Sequence, residues 1–273
     1  MPELPEMENY RALLSGRILD KPITGVTVNR EKSINLDADV FHSQLLGSSI
    51  VYIERRGKHL IFHLNTGKRL LLHLMLGGML YVAAPGESIK RSTQVEIEFG
   101  GETLLFIGLR LGFLHLLNAK ETIEALAGLG PEPLDPRMTL QAFASLLKGR
   151  RGSLKSTLIN QHVIAGIGNC YADEIAFEAG LAPASKMQNI TASAEQVERL
   201  YEAVRSVLQE AYMHGGYMEM PLMQGDSKTG GFDEKCQVYD REGEACSRCG
   251  GTIRREEQAG RKVFYCPDCQ HEV

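Results

Sequence analysis

The 273-residue chain has no apolar run approaching the ~18 residues that a membrane-spanning helix requires, and no charged, apolar and small-residue signal opens it. A membrane protein and an exported one are therefore both disfavoured, and the expected location is the cytoplasm. There is no excess of positive charge: 30 Lys and Arg stand against 34 Asp and Glu, giving a net charge of −4. Global attraction to a polyanion is absent, so any nucleic-acid binding must come from a local basic face, because screening acts over roughly 8–10 Å. Internal repeats are also missing, which excludes a solenoid. The six cysteines, without an export signal, do not read as a disulfide framework.

What is present is an ordered globular composition, 43% hydrophobic and 23% charged, in a chain long enough for more than one core. Four cysteines carry the most specific local pattern. Cys246 and Cys249 flank two residues, sixteen follow, and Cys266 and Cys269 flank two more. This spacing closes a tetrahedral site for one structural zinc with four thiolate ligands and no open position for water. Residues 250–265 between the pairs turn like a β-hairpin, so the expectation is a zinc finger of the ribbon type. Cys170 and Cys236 have no patterned partner and read as ordinary thiols.

Short β runs recur from residue 22 to 118 at Ile23–Val28, Ile50–Arg55, His59–Leu64, Leu70–Leu76, Leu80–Ala83, Gln94–Phe99, Thr103–Ile107 and Phe113–Leu117. Their spacing with Gly, Asn or Pro between predicts a sandwich or barrel. A helix over Glu3–Leu14 precedes them, with Pro2 and Pro5 where proline is tolerated. The Gly- and Pro-rich stretch 128–136 ends this texture, and helical periodicity follows at Leu140–Leu147, Leu154–Asn160, Tyr171–Ala179 and Ala194–His214. The expected fold is α+β and multidomain: a two-layer β-sandwich over 1–128, a helical domain with a long loop over 129–235, and the zinc finger over 236–273. Tyr217–Lys235 is a Met- and Gly-rich loop of a length that is uncommon unless functional or disordered. Lys148, Arg150, Arg151 and Lys155 form an acid-free stretch, and Arg55, Arg56 and Lys58 a shorter one. Between two helices, Gly166-Ile167-Gly168-Asn169 permits close backbone approach, with Asn169 as expected N-cap.

Five separated motifs occur in one order: Pro2-Glu3-Leu4-Pro5-Glu6, Arg56-Gly57-Lys58, His73 through Gly78, Gly166 through Asn169, and the four-cysteine finger with Ala259-Gly260-Arg261. Together they resemble the formamidopyrimidine-DNA glycosylase and endonuclease VIII family, from residue 2 to about residue 270. The resemblance implies a β-sandwich lobe and a helix-two-turn-helix lobe with a zinc finger, with duplex DNA carrying damaged bases or abasic sites between them. A monomer is expected, cytoplasmic and associated with the nucleoid when bound.

The chemistry follows from residue types. Removal of Met1 makes Pro2 a secondary α-amine, and α-amino groups titrate near pH 8, leaving a usable neutral fraction at pH 7. Attack at C1′ expels the base and leaves an iminium, an electron sink that permits elimination of the 3′ phosphate. Glu3 is placed to shuttle protons to the sugar ring. The resemblance implies catalytic roles for Lys58 and Arg261 at the lesion-flanking phosphates. It also implies DNA contacts by His73, Arg151, Lys155 and Asn169, an opposite-base contact by Arg110, and wedge roles for Leu76 together with Leu111 or Phe113. Relatives usually carry methionine at the Leu76 position and a longer segment around Arg110, and Ser92 and Gln94 stand where many carry histidines. Altered lesion choice, with weak excision of 8-oxoguanine, is the resulting expectation. The alternatives are a non-catalytic damage-binding protein of the same fold, and a structural nucleic-acid or ribosome-associated protein, in which Pro2, Glu3 and Lys58 would have no reason to co-occur.

Overall fold

The computed structural model describes residues 1–87 and 89–273. The chain divides into two compact units, one of residues 1–127 with 214–231, the other of residues 128–213 with 232–273. No helix among the described residues is long and apolar enough to cross a membrane.

In the first unit, helix α1 spans Leu4–Ser15. All eight anticipated strands form: β1 (Gly25–Val28), β2 (Ile50–Arg56), β3 (His59–Leu64), β4 (Arg69–His73), β5 (Met79–Ala83), β6 (Thr93–Glu98), β7 (Thr103–Ile107) and β8 (Phe113–Leu117). They make two antiparallel four-stranded sheets, ordered β1-β6-β7-β5 and β2-β3-β4-β8. One core joins both sheets, because alternate residues of each point inward: Ile53, Leu60, Leu72 and Leu114 come from one, and Val82, Val95, Ile97 and Leu104 from the other. Phe62 and Phe106 meet edge to face across the layers, with centroids 6.4 Å apart. Met7, Tyr10 and Leu14 of α1 join the same core. Strand β4 stops at His73, short of the anticipated Leu76, because Met75 takes φ +56° and Gly77 φ +78°, which no strand sustains. Two helices not expected from periodicity, α2 (Ala38–Leu45) and α3 (Ala119–Leu126), are short; Asn118 caps the second by accepting the Glu121 amide at 2.9 Å.

The second unit holds α4 (Leu140–Leu147), α5 (Leu154–Leu158), α6 (Asn169–Glu178), a single turn α7 (Met187–Ile190) and the twenty-residue α8 (Ala194–Met213). Gly168, not Asn169, is the N-cap of α6, and Asn169 is its first helical residue. The finger follows as the hairpin β9 (Arg254–Gln258) and β10 (Arg261–Tyr265).

The division differs from the expected three domains in two ways, each with a cause. Residues 214–231 belong to the sandwich because Leu222 is fully buried in its core and its carbonyl accepts the Val82 amide at 2.6 Å. The finger belongs with the helices because two adjacent acids on α6 hold it. Glu174 accepts the amides of Gln237, Val238 and Tyr239 at 2.8–3.0 Å, and Asp173 accepts that of Phe264 at 3.1 Å.

Candidate active site and nucleic-acid interface

The start of the chain is sealed. Pro2 is buried and Glu3 is 2% exposed, at the first turn of α1. Glu6, also buried, accepts the Glu3 amide at 2.8 Å with one carboxylate oxygen and the Tyr217 amide at 2.8 Å with the other. A buried carboxylate satisfied by backbone amides at both oxygens fixes two segments distant in sequence. Gly216 adopts φ +79°, and a side chain there would run into the Glu6 carboxylate, so glycine is required by both conformation and space.

Lys58 lies one residue beyond Gly57 (φ +55°) in the β2–β3 hairpin and is only 5% exposed, which a merely solubilising lysine would not be. The hairpin packs on α1. Arg55 donates to Glu8 of α1 at 2.7 Å and to the Gly57 carbonyl at 3.2 Å, bracing the turn that carries Lys58. Burial raises the Glu8 carboxyl, but bonds from Arg11 and Arg55 outweigh it and hold the group below the usual carboxylate range.

His73 belongs to a row of rings on neighbouring strands. His59 lies 4.2 Å from it, Phe113 5.8 Å on the other side, and Phe113 stacks on His115 at 4.2 Å. Burial pushes His73 down to about 3 and His59 down to about 4, helped in each case by nearby cations. At neutral pH His73 is therefore an uncharged hydrogen-bonding group, not a cation.

Two loops present the wedge candidates. Leu76 is 64% and Leu111 63% exposed, although both are large and apolar. Their loops interlock through glycines: a side chain on Gly108 would strike the Gly77 carbonyl, and one on Gly112 the carbonyls of His73 and Leu74. Close backbone contact leaves both leucines, with exposed Arg110, at the loop tips. Gln94 accepts the Leu109 amide at 2.9 Å, and Ser33 donates to the Leu109 carbonyl at 3.1 Å. Gln94 thus braces the Arg110 loop from behind.

In the second unit, Arg261 is exposed just after the β9–β10 turn, where Ala259 and Gly260 take φ +50° and +74°. Two successive left-handed residues make the tight turn that a two-residue hairpin needs. A cavity of about 500 Å³ is lined by Lys155, Ser153, Ser156, Asn160 and Arg261 among others. Asn169 and Arg151 are exposed. Lys155 differs from the surface phosphate ligand anticipated. It is 3% exposed, and its ammonium donates to Asp173 at 2.7 Å and to the Lys262 carbonyl at 2.6 Å, one residue from Arg261. Burial pushes the Asp173 carboxyl up to about 7 against the opposing pull of Lys155.

The sulfurs of Cys246, Cys249, Cys266 and Cys269 all lie within 4.8 Å of one another, with Cys246 to Cys269 at 3.8 Å and Cys249 to Cys266 at 3.6 Å. Zinc–sulfur bonds of about 2.3 Å in a tetrahedron require sulfur separations of about 3.8 Å, so the donor set fits one structural zinc. Sequence reasoning missed Glu6 as a bridge, Asp173 and Glu174 as anchors and Gln94 as a brace. Only the first had a local signal, an acid three residues after Glu3 at a helix start.

A sandwich unit with a buried Pro2, and a helical unit with a four-cysteine hairpin fit for zinc, define an α+β class of proteins. The sequence matches the model of the formamidopyrimidine-DNA glycosylase N-terminal domain over residues 1–113, its H2TH domain over 129–220, and the zinc finger found in FPG and IleRS over 243–271. It is 34% identical to the formamidopyrimidine-DNA glycosylase of Carboxydothermus hydrogenoformans, across 99% of this chain and all of that one. It is 38% identical to that of Brevibacillus brevis, across 99% of each. The solved Lactococcus lactis Fpg in complex with abasic-site DNA superimposes with a TM-score of 0.91 at 28% identity, covering 99% of this chain and all of that one. The chain belongs to the formamidopyrimidine-DNA glycosylase family.

Proposed function

We propose that this protein is a DNA repair glycosylase with abasic-site lyase activity, acting on damaged duplex DNA through the nitrogen of Pro2 once Met1 is removed. The observation that carries the reading is the sealed N-terminal turn, where Pro2 and Glu3 are buried beside the Glu6 bridge and α1 packs on the hairpin carrying the nearly buried Lys58.

The secondary amine attacks C1′ of the damaged nucleotide. The bond from C1′ to the base breaks, and the base leaves with a proton. Glu3 exchanges protons with the opening sugar oxygen. Opening the ring gives an iminium between the proline nitrogen and C1′, which withdraws electrons and acidifies the C2′ hydrogen. Loss of that proton expels the 3′ phosphate, and a second elimination expels the 5′ phosphate. Lys58 and Arg261 stabilise the charge developing on these phosphates. Asn169, Arg151 and neutral His73 fix the strand by hydrogen bonds that carry no sequence information. Lys155 acts one step removed, holding β10 through the Lys262 carbonyl and so setting where Arg261 stands. Leu76 and Leu111 fill the space left by the extruded nucleotide, and Arg110 meets the base opposite. The work is done in the cytoplasm, on the nucleoid, a reading that the organisms of the relatives support.

The test is reductive trapping. Borohydride with abasic-site duplex is expected to give a covalent adduct with wild type. Pro2→Gly should reduce it on the order of tenfold or more, since a primary amine is retained, and an N-terminal extension should abolish it. Equal trapping by the extended protein would rule out the N-terminal imine.

A further inference from the structure

The face of sheet β2-β3-β4-β8 that points away from the sandwich core carries a cluster of rings, of which only His73 enters the mechanism. Side chains alternate along a strand, so Leu60, Leu72 and Leu114 enter the core while His59, His73 and Phe113 stand on the opposite face. The register makes them one row: His59 pairs with His73, and His73 with Phe113. Ring centroids are 4.2 Å apart for His59 and His73, 5.8 Å for His73 and Phe113, and 6.4 Å for His59 and Phe113. His115 stacks on Phe113 from the next row at 4.2 Å. His59 Nδ1 is buried without a hydrogen-bond partner, so ring contact, not a bond at that atom, accounts for its placement.

The row lies at the root of three loops. His59 directly follows Lys58, His73 ends β4 before the Leu76 loop, and Phe113 opens β8 after the Leu111 loop. Backbone and ring meet at one place, since a Cβ on Gly112 would lie 2.2 Å from the His73 carbonyl oxygen. Phe113 is half-buried with its ring turned onto His73 and His115, whereas Leu111 is exposed at its loop tip.

We propose that Phe113 is a positioning residue for His73: with His59 it holds the imidazole in one orientation for hydrogen bonding to a DNA phosphate, and it ties the roots of the Leu76 and Leu111 loops to the Lys58 hairpin. The proposal rests on the glycosylase reading above. Burial in the row, then the neighbouring His59 and Lys58, keep the His73 ring neutral. Arg56 of β2 acts in the same direction on His59, and burial pulls His115 of β8 down as well. Helix α3, which packs on β4 and β8, brings Lys120, Glu121 and Glu124, all exposed. Removing the Phe113 ring returns water to the imidazole, which then accepts a proton closer to the ordinary histidine value of about 6.5. As a cation it would grip phosphate more strongly at low pH.

The experiment follows histidine Cε1 proton shifts on the protein alone from about pH 5 to 7.5, together with affinity for a duplex carrying a tetrahydrofuran abasic-site analogue. Wild type and Phe113→Tyr are expected to show no His73 inflection in that range. Phe113→Ala should bring the inflection above about pH 5.5, and Phe113→Leu, which keeps apolar bulk without a ring, should bring it into the range at a lower value. Affinity of Phe113→Ala should fall about fivefold at pH 7.5, then recover at least about threefold more than wild type on going to pH 6. Adding His73→Gln should remove that extra recovery. A Phe113→Ala protein without a His73 inflection overturns the proposal, and with weakened base excision makes Phe113 a wedge instead; extra recovery that survives His73→Gln overturns it too. Should Phe113→Ala lose amide protection in β3 and β4, Phe113→Leu decides, and no inflection there is equally fatal. The titration needs no DNA chemistry, so it stands apart from the glycosylase reading, which falls if wild type neither cleaves abasic sites nor forms the borohydride adduct.

Discussion

The sandwich and the finger are held together by different physics. The sandwich has a continuous apolar core running from α1 through both sheets to Leu222. The finger has only a small cluster, in which Phe177, Val238, Ile253 and Phe264 surround two of the zinc-ligating cysteines. Strand β9 contributes little to burial: Arg254, Arg255, Glu256 and Glu257 are all exposed, and Gln258 is half-buried. Apolar burial stabilises by roughly 25 cal/mol per Å², so the first unit stands on its core, whereas the hairpin needs its thiolates and the two acids of α6. On the proposed mechanism, nucleophile and phosphate grip are built to different tolerances, one inside a core and the other on a metal staple.

The largest break should come from removing zinc. Structural sites of this kind contribute on the order of 10–16 kcal/mol to folding, far beyond what the small cluster supplies. Chelation is expected to abolish amide protection in β9 and β10 and to eliminate DNA binding, while β3 and β4 keep theirs. Hydrogen exchange read by unit would show this, and full DNA binding after demonstrated metal loss would contradict it.

A smaller break is Lys155→Met, which leaves the Asp173 carboxylate buried without its cation. Removing one partner of a buried pair costs roughly 3–5 kcal/mol, felt in the second unit. Asp173→Asn should cost less because an amide still accepts from Lys155, and Lys155→Met with Asp173→Leu should recover much of the loss. Urea titrations with one probe in each unit would distinguish this from a uniform change.

pH sharpens the contrast without mutation. Folded His59 and His73 refuse protons that the unfolded chain takes up below about pH 6.5. Their contribution is present above that pH and is lost as pH falls toward their folded values of about 4 and 3. Asp173 has the opposite sign. Its folded value of about 7 lies above the usual one, so its contribution is complete at low pH and is lost as pH rises through 7. From about pH 5.5 to 7, with zinc in excess, the first unit should gain stability, while the Asp173 contribution to the second declines. Asp173→Asn should remove only the second trend, and identical slopes in both units of wild type would refute the assignment.

The smallest effect on stability should be Leu76→Ala, since a side chain 64% exposed has little burial to lose. Its effect should appear in function: base excision from duplex falls roughly tenfold, about 1.4 kcal/mol of wedge contact, while cleavage of preformed abasic sites changes less. No effect on any duplex lesion would remove Leu76 from the wedge.

Much of this was legible in the residues. The eight strands, the long helix α8 and the zinc site follow from periodicity and spacing, which are local properties that backbone geometry reads directly. Other features had no local trace. The Met-rich run Tyr217–Lys235 reads equally as a mobile surface loop or as a base pocket, and only packing shows that Leu222, Met223 and Met220 anchor its first part. Lys155 reads as part of a basic surface stretch, yet it is enclosed with Asp173, because the partner eighteen residues away comes into reach only when α5 and α6 pack.

The sequence by itself determined which groups the protein has for its chemistry: a proline able to become the terminal amine, a glutamate beside it, a lysine at a hairpin and four spaced thiolates. Tertiary structure alone decided which of them are sealed, charged or held by others. It made Glu6 the bridge to Tyr217, kept His73 neutral, turned Lys155 inward and gave residues 214–231 to the sandwich. The physical reason is that desolvation and hydrogen-bond partnership depend on groups far apart along the chain, and periodicity and spacing describe only those that are near.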